Sequence, residues 1–218
     1  MNWTELVNVV LQLSQGVITT TLVTVSCFIT GMVVALLLTG IRQLELPGVR
    51  HLLDSCVFIF RSVPVLVLVL VLVFLVYFGL PNLGWSVSAM IAINLSLGLI
   101  AAAFLSEVFR GALNAVDRTE LLAAKSMGLG RLQIFFNIEA PQMIRFSFPG
   151  VVNEFSTVLK NSAFAYTIGI SEIMRQAMAL TSTTNLGVLV YVIVGFLYFC
   201  IYKVILFLMG LVEHRIAI

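Results

Sequence analysis

Long apolar runs separated by short polar stretches dominate this chain. The first run covers about residues 16–40. The connection IRQLELPGVRHLLD follows, with Pro47-Gly48 as its breaker. A second run, about 55–80, opens CVFIFRSVPVLV and continues as nearly pure Val, Leu and Phe. The turn PNLGW leads to a third run at about 87–109. Residues 110–145 then form the longest polar stretch. A fourth run, about 148–168, is unusually polar, and residues 169–185 (GISEIMRQAMALTSTTN) read as a short amphipathic segment outside the apolar core. A fifth run, about 186–212, ends in EHRIAI. A membrane helix needs about 20 mostly apolar residues. The pattern therefore predicts an all-α polytopic membrane bundle of about five transmembrane helices, forming one domain over residues 1–218.

Composition agrees. Hydrophobic residues make up 61% of the 218 and charged residues 10%, against about 25% charged in soluble domains. Lipid solvates such side chains; water does not. The net charge of +2 gives no reason to expect nucleic acid as a partner. Cys27, Cys56 and Cys200 sit in apolar runs without metal-ligand spacing and read as packing or lipid-facing residues. The first 15 residues contain Glu5 and neither Lys nor Arg, so they do not resemble a cleavable signal.

The basic residues set the expected orientation. Lys and Arg are absent from the N-terminal tail and from the loop between the second and third spans. Arg42 and Arg50 lie in the first loop, while Arg110, Arg118, Lys125, Arg131 and Arg145 lie in or beside the long one. Arg175 alone precedes the fifth span, and Arg215 follows it. Positive residues concentrate on the cytoplasmic side, so the N-terminus is expected outside, and the long loop and C-terminus in the cytoplasm.

Within the long loop, Asp117 is placed to cap a helix with Glu120 completing a capping box. Gly128 stands where a helix stop needs a left-handed residue. A second short helix, RLQIFFNIE, is expected to stop near Pro141. Leu122, Met127, Ile134 and Phe135 are exposed unless something covers them. Two readings follow: a docking element for a protein partner, or a hairpin lying on the membrane surface.

Ionisable groups inside a membrane line cavities or pair with one another. The fourth run carries Asn153, Glu154, Ser156, Thr157, Lys160 and Asn161. At about 100° per residue, Asn153, Thr157 and Lys160 share one helix face, and Glu154, Thr157 and Asn161 an overlapping one. A zwitterionic solute needs an acceptor for its ammonium and a donor for its carboxylate, and Glu154 and Lys160 are of those types; a mutual or inter-helix pairing is the alternative. Glu107 and Arg110, three apart, read as an intrahelical pair or as a gate contact. Pro64 is expected to kink the second span, with Arg61 snorkelling to the interface. Asn94 and Ser96 fit either a pathway wall or polar helix packing.

The order of motifs resembles the permease subunits of bacterial polar amino-acid ABC importers, the histidine/glutamine/arginine permease-like family. Ala123-Ala124, Gly128 and Pro141 match that family's Glu-Ala-Ala (EAA) loop, with Leu122 where its Glu stands and Glu120 two residues early. FRSVPVLVLV at 60–69, AAAFLSEVFRG at 101–111 and NEFSTVLKNSAFAYTIG at 153–169 resemble its flanking motifs. The resemblance implies a second permease subunit, like or unlike, two cytoplasmic ABC ATPases docked on the loop, an extracytoplasmic solute-binding protein and an amino-acid substrate, all acting at the inner membrane. It implies ATP and Mg on the ATPase and no cofactor or metal on this chain.

The chain shows no Walker motif, Ser-His-Asp set or zinc spacing; His51 and His214 are loop or tail residues near basic neighbours. It is expected not to be an enzyme. Besides an ABC importer permease for a different small solute, a self-sufficient carrier or channel and a structural membrane subunit are the competing readings. The carrier fits poorly with a chain lacking an inverted repeat, and neither it nor the structural subunit needs a docking loop. An alkaline-phosphatase fusion at residue 125 is expected to be inactive; activity outside the cell would overturn the orientation.

Overall fold

The computed structural model describes residues 3–43, 47–184 and 186–216. Residues 44–46 of the first connection and residue 185 of the amphipathic stretch lie outside it. All regular structure among the described residues is helical.

Helix α1 (Trp3–Arg42) is continuous over 40 residues and begins well before the expected start at 16. At 1.5 Å per residue it is about 60 Å long, roughly twice the hydrocarbon core, so part of it projects beyond the membrane. The second run is divided into α2 (Pro47–Ser62) and α3 (Val65–Phe74). Pro64 breaks this helix rather than kinking it. Its φ of −54° and ψ of 130° place it as the N-cap of α3, because a proline disfavours helical geometry in the residue before it. Helix α4 (Ala89–Asn114) starts on Ser88, whose hydroxyl accepts from the Ile91 N–H. Helices α5 (Arg118–Ser126) and α6 (Arg131–Ile134) follow. Then come α7 (Ala140–Asn161), α8 (Ile173–Thr183) and α9 (Gly187–Ile216).

Pro141 does not stop the helix. A π turn, Phe135–Glu139, joins α6 to α7, and the Ala140 N–H reaches back five residues to the Phe135 carbonyl. The wider turn lets the proline ring avoid the carbonyl four residues earlier, the clash that normally breaks a helix. A second π turn, Leu75–Gly79, precedes Pro81.

Among the described residues, four helices are long and apolar enough to cross a membrane: Glu5–Arg42, Val65–Asn82, Ala89–Asn114 and Gly187–Leu211. Helix α7 covers most of the expected fourth span. It lies outside that set because Gln142, Arg145, Asn153, Glu154, Lys160 and Asn161 lower its mean hydropathy. It packs instead against α4, α1 and α9.

The bundle is organised around α1 and α4, whose small residues bring the backbones close. A Cβ on Gly31 would lie 2.8 Å from the Ala101 Cβ, and one on Gly98 would lie 2.9 Å from Thr30 Cγ2. Such approach is how membrane helices gain van der Waals contact without a hydrophobic driving force. Thr30 donates to Asn94 Oδ1 at 2.7 Å across the same seam. Helix α8 is clamped on the other side of α1. Ile173, Ala177 and Leu180 form its buried face, and a Cβ on Gly16 would lie 2.5 Å from the Ile173 nitrogen. Glu172 accepts from the Met174 and Arg175 N–H groups at 2.7 Å and from the Tyr198 hydroxyl at 3.1 Å, tying α8 to α9.

Gly98→Val should overpack the α1–α4 seam and destabilise the protein by about 1–3 kcal/mol. Gly195→Ala, where an added Cβ meets nothing within 4 Å, should be near neutral. Thermal unfolding of both in detergent checks the contrast.

Candidate functional site: a coupling loop, an arginine–glutamate cluster and a polar helix face

The loop after α4 turns on three local devices. Asp117 Oδ1 accepts from the Thr119 N–H at 2.8 Å and opens α5; that bond holds its carboxyl below the usual carboxylate range. Gly128 closes α5 with φ of +82°. The Gly128 N–H reaches the Lys125 carbonyl and the Leu129 N–H the Ala124 carbonyl, a Schellman stop. Gly130 then opens α6, its N–H bonded to Gln133 Oε1.

Glu120 does not complete a capping box on Asp117. Its carboxylate accepts from Gln142 Nε2 at 2.6 Å and braces α5 against the start of α7. Ala124 faces inward and is buried, while Leu122, Ala123 and Pro141 face out. The exposed apolar set differs from the expected one. Ile134, the last residue of α6, is buried, and Phe135, the first of the π turn, is half-buried. Leu122, Met127, Leu132 and Phe136 are each more than 60% exposed, so the loop presents an apolar patch beside its polar residues.

At the end of the bundle where α1 and α4 finish, Glu107 gathers three arginines. Arg110 Nε lies 3.0 Å away on the same helix, Arg61 Nη1 3.2 Å away on α2 and Arg42 Nη1 3.4 Å away on α1. The expected spacing-three pair is present, and it is one arm of a cluster joining three helices. Arg61 also lies over the Phe104 ring, 5.7 Å from its centroid. Asp54 of α2 pairs with Arg42 at 2.9 Å. Arg42 and Asp54 were not legible as members: they belong to different helices, and no sequence spacing links them.

Helix α7 divides its polar residues. Glu154 and Ser156 are buried, whereas Asn153 and Lys160 are exposed and Thr157 half-exposed. Asn153, Ser156 and Lys160 line a cleft of about 370 Å³ with Tyr198 and Tyr202 of α9. The Thr157 hydroxyl donates to the Asn153 carbonyl at 3.2 Å. Asn94 is engaged by Thr30, and Ser96 is buried, both within helix packing.

A family model described as the binding-protein-dependent transport system inner membrane component matches residues 47–218. The chain belongs to this family. The permease is a multi-pass subunit of an ABC importer in the inner membrane. It is 30% identical, over its whole length and 96% of the relative, to the probable amino-acid permease protein YxeN of Bacillus subtilis (strain 168). Over 91% of its length it is 28% identical to the arginine transport system permease protein ArtQ of the same organism, covering 89% of that protein. A crystal structure of an amino acid ABC transporter with histidines superposes on the permease with a TM-score of 0.85, at 26% identity over 99% of both chains. The methionine ABC transporter MetNI, in an inward-facing conformation, shares the fold at a TM-score of 0.75 and 20% identity over 99% of both chains.

Glu107→Gln should leave Arg42, Arg61 and Arg110 sharing one less carboxylate, destabilising the permease by about 1–3 kcal/mol. Glu107→Asp, shorter but charged, should lose less. Unfolding temperatures of the two variants in detergent test this.

Proposed function

We propose that this permease carries polar amino acids inward, with its long loop in the cytoplasm as the docking element for a separate ATPase. The observation that carries the docking role is the geometry of α5. It is capped by Asp117, stopped by the left-handed Gly128 and braced to α7 through Glu120 and Gln142. A short helix held at both ends moves as a unit. The exposed Leu122, Met127, Leu132 and Phe136 give a partner an apolar surface to cover. Leu122 occupies the position at which the family loop has Glu. Glu120, committed to Gln142, supplies the internal brace rather than that outward contact.

In this reading, α7 crosses the membrane together with the four apolar spans. Two ATPases hydrolyse ATP with Mg, a second permease subunit completes the pathway, and a solute-binding protein delivers substrate outside. Asn153, Ser156 and Lys160 face the cleft beside Tyr198 and Tyr202 and line the route; Thr157, whose hydroxyl is turned to the Asn153 carbonyl, lies beside them on the same helix. Lys160 suits a substrate carboxylate. Glu154, buried behind that face, is the acceptor available to an ammonium once the bundle opens. The Glu107 cluster with Arg61 and Arg110, next to the break at Pro64, forms the inner gate. The names of the relatives and of the 26%-identical solved structure support amino acids as the substrate class.

Substituting Gly128 by Asp puts a Cβ and a negative charge at a left-handed position, at a backbone cost of about 1 kcal/mol, and should disturb the α5 stop and the surface beside it. The reconstituted complex should then hydrolyse ATP with uptake of a panel of amino acids reduced at least tenfold. Unchanged uptake with intact assembly would sink the docking role. Uptake by the wild-type permease alone, driven by ions or protons, would sink the ABC mechanism.

A further inference from the structure

A second polar cavity, separate from the cleft on α7, lies where α1 and α4 end. It encloses about 260 Å³ between the first connection, the start of α5 and the π turn before α7. Its floor is made by Thr39 of α1 and Leu113 of α4. Its walls carry five arginines, Arg42, Arg50, Arg110, Arg118 and Arg131, against two carboxylates, Asp54 and Glu139. Nearby Glu107 is already shared by Arg42, Arg61 and Arg110. Among the described residues, six guanidinium groups, counting Arg61, therefore face three carboxylates.

Among the described residues, these carboxylates make no close ion pair with Arg50 or Arg118. Asp54 is taken up by Arg42 at 2.9 Å and meets Arg50 only at 3.9 Å. Glu139, itself buried, meets Arg131 at 3.7 Å, and Arg131 also holds Gln43. The Arg50 side chain is 64% exposed, and Arg118 is exposed at the head of α5. Both can turn toward a ligand without breaking a close ion pair. Guanidinium groups grip phosphate oxygens two at a time.

We propose that this cavity binds a phosphate-bearing anion, and that its natural source is the headgroup of an anionic phospholipid. Depth argues for the lipid. Thr39 and Leu113 belong to the last turns of two helices long and apolar enough to cross a membrane, which in the proposed orientation brings the guanidinium groups close to the cytoplasmic headgroup phosphates. Basic pockets between spans on the cytoplasmic side hold anionic headgroups in the same way. The inference rests on the orientation proposed above. Because α5 forms one wall, a bound headgroup would link the first connection and the end of α4 to the coupling helix.

The test uses the purified permease with its ATPase in detergent. Short-chain phosphatidylglycerol, short-chain phosphatidylcholine and inorganic phosphate are added separately, and the unfolding temperature is followed. Phosphatidylglycerol should raise it saturably and phosphatidylcholine should not. Arg50→Gln/Arg118→Gln should weaken the apparent phosphatidylglycerol affinity roughly ten- to thirty-fold, since each such charge contributes about a fivefold attraction or slightly less. Arg50→Lys/Arg118→Lys should keep most of it. Equal responses to the two lipids, or an unchanged affinity in the Gln variant, would overturn the site. An equal effect of inorganic phosphate would overturn the lipid as its source. ATPase retention is scored on the same samples: a failed site leaves it intact, whereas its loss from the wild type counts against the ABC reading instead.

Discussion

The approach of α1 to α4 is the constraint on which the other parts depend. Gly31 and Gly98 remove the side chains that would hold the two backbones apart, and Ala101, Ala102 and Ala35 are buried in the seam. In lipid this contact has no water to expel, so its strength lies in the closeness of the atoms. Once the two helices run side by side, Arg42 and Glu107 necessarily meet at their shared end. Helix α7 then finds α4 through Gly150, where a Cβ would lie 2.6 Å from Val108 Cγ1. The polar features are thus built on a scaffold of residues that carry no charge.

Two kinds of polar grouping follow, and they differ in permanence. The Asn94–Thr30 bond and the Glu172 knot are enclosed among helices and fix their registers. The cluster around Glu107 lies at a rim, with Arg61 and Arg110 about half exposed. Partners at a rim can exchange for water or for other anions at modest cost. A helix break at Pro64 stands directly beside it. Fixed bonds inside and exchangeable ones at the rim suit a bundle whose ends must rearrange while its middle holds.

Much of the fold was legible, because long apolar runs admit few interpretations. The four strongest runs are helices, and the left-handed Gly128 and the Asp117 cap were readable from single residues whose chemistry is local. The misreadings share a cause. Pro141 was expected to stop a helix because proline rules assume α geometry, and a π turn relaxes that assumption. Ile134, just before that turn, is buried rather than exposed. Glu120 fits a capping box by spacing, yet it found Gln142 twenty-two positions away. Arg42, Asp54, Glu172 and Tyr198 form contacts over long separations, and one sequence does not display such pairings. A stronger signal was available for Glu172: a lone acid just before the amphipathic stretch 173–183 is placed to meet free N–H groups.

The uninterrupted helix through Pro141 has a mechanical consequence. Residues 131–161 form a single strut about 45 Å long, with Leu132 and Phe136 exposed at one end and Asn153 and Lys160 at the other. Had Pro141 stopped the helix, a loop would separate these ends; only the internal Pro149 lies between them. Bending is confined to the internal Pro149, beside the point where Gly150 lets α7 approach Val108 of α4. The exposed apolar end and the polar cleft are therefore joined by one continuous run of helix whose single flexible point lies next to its closest contact with α4, as in a rod supported at its joint.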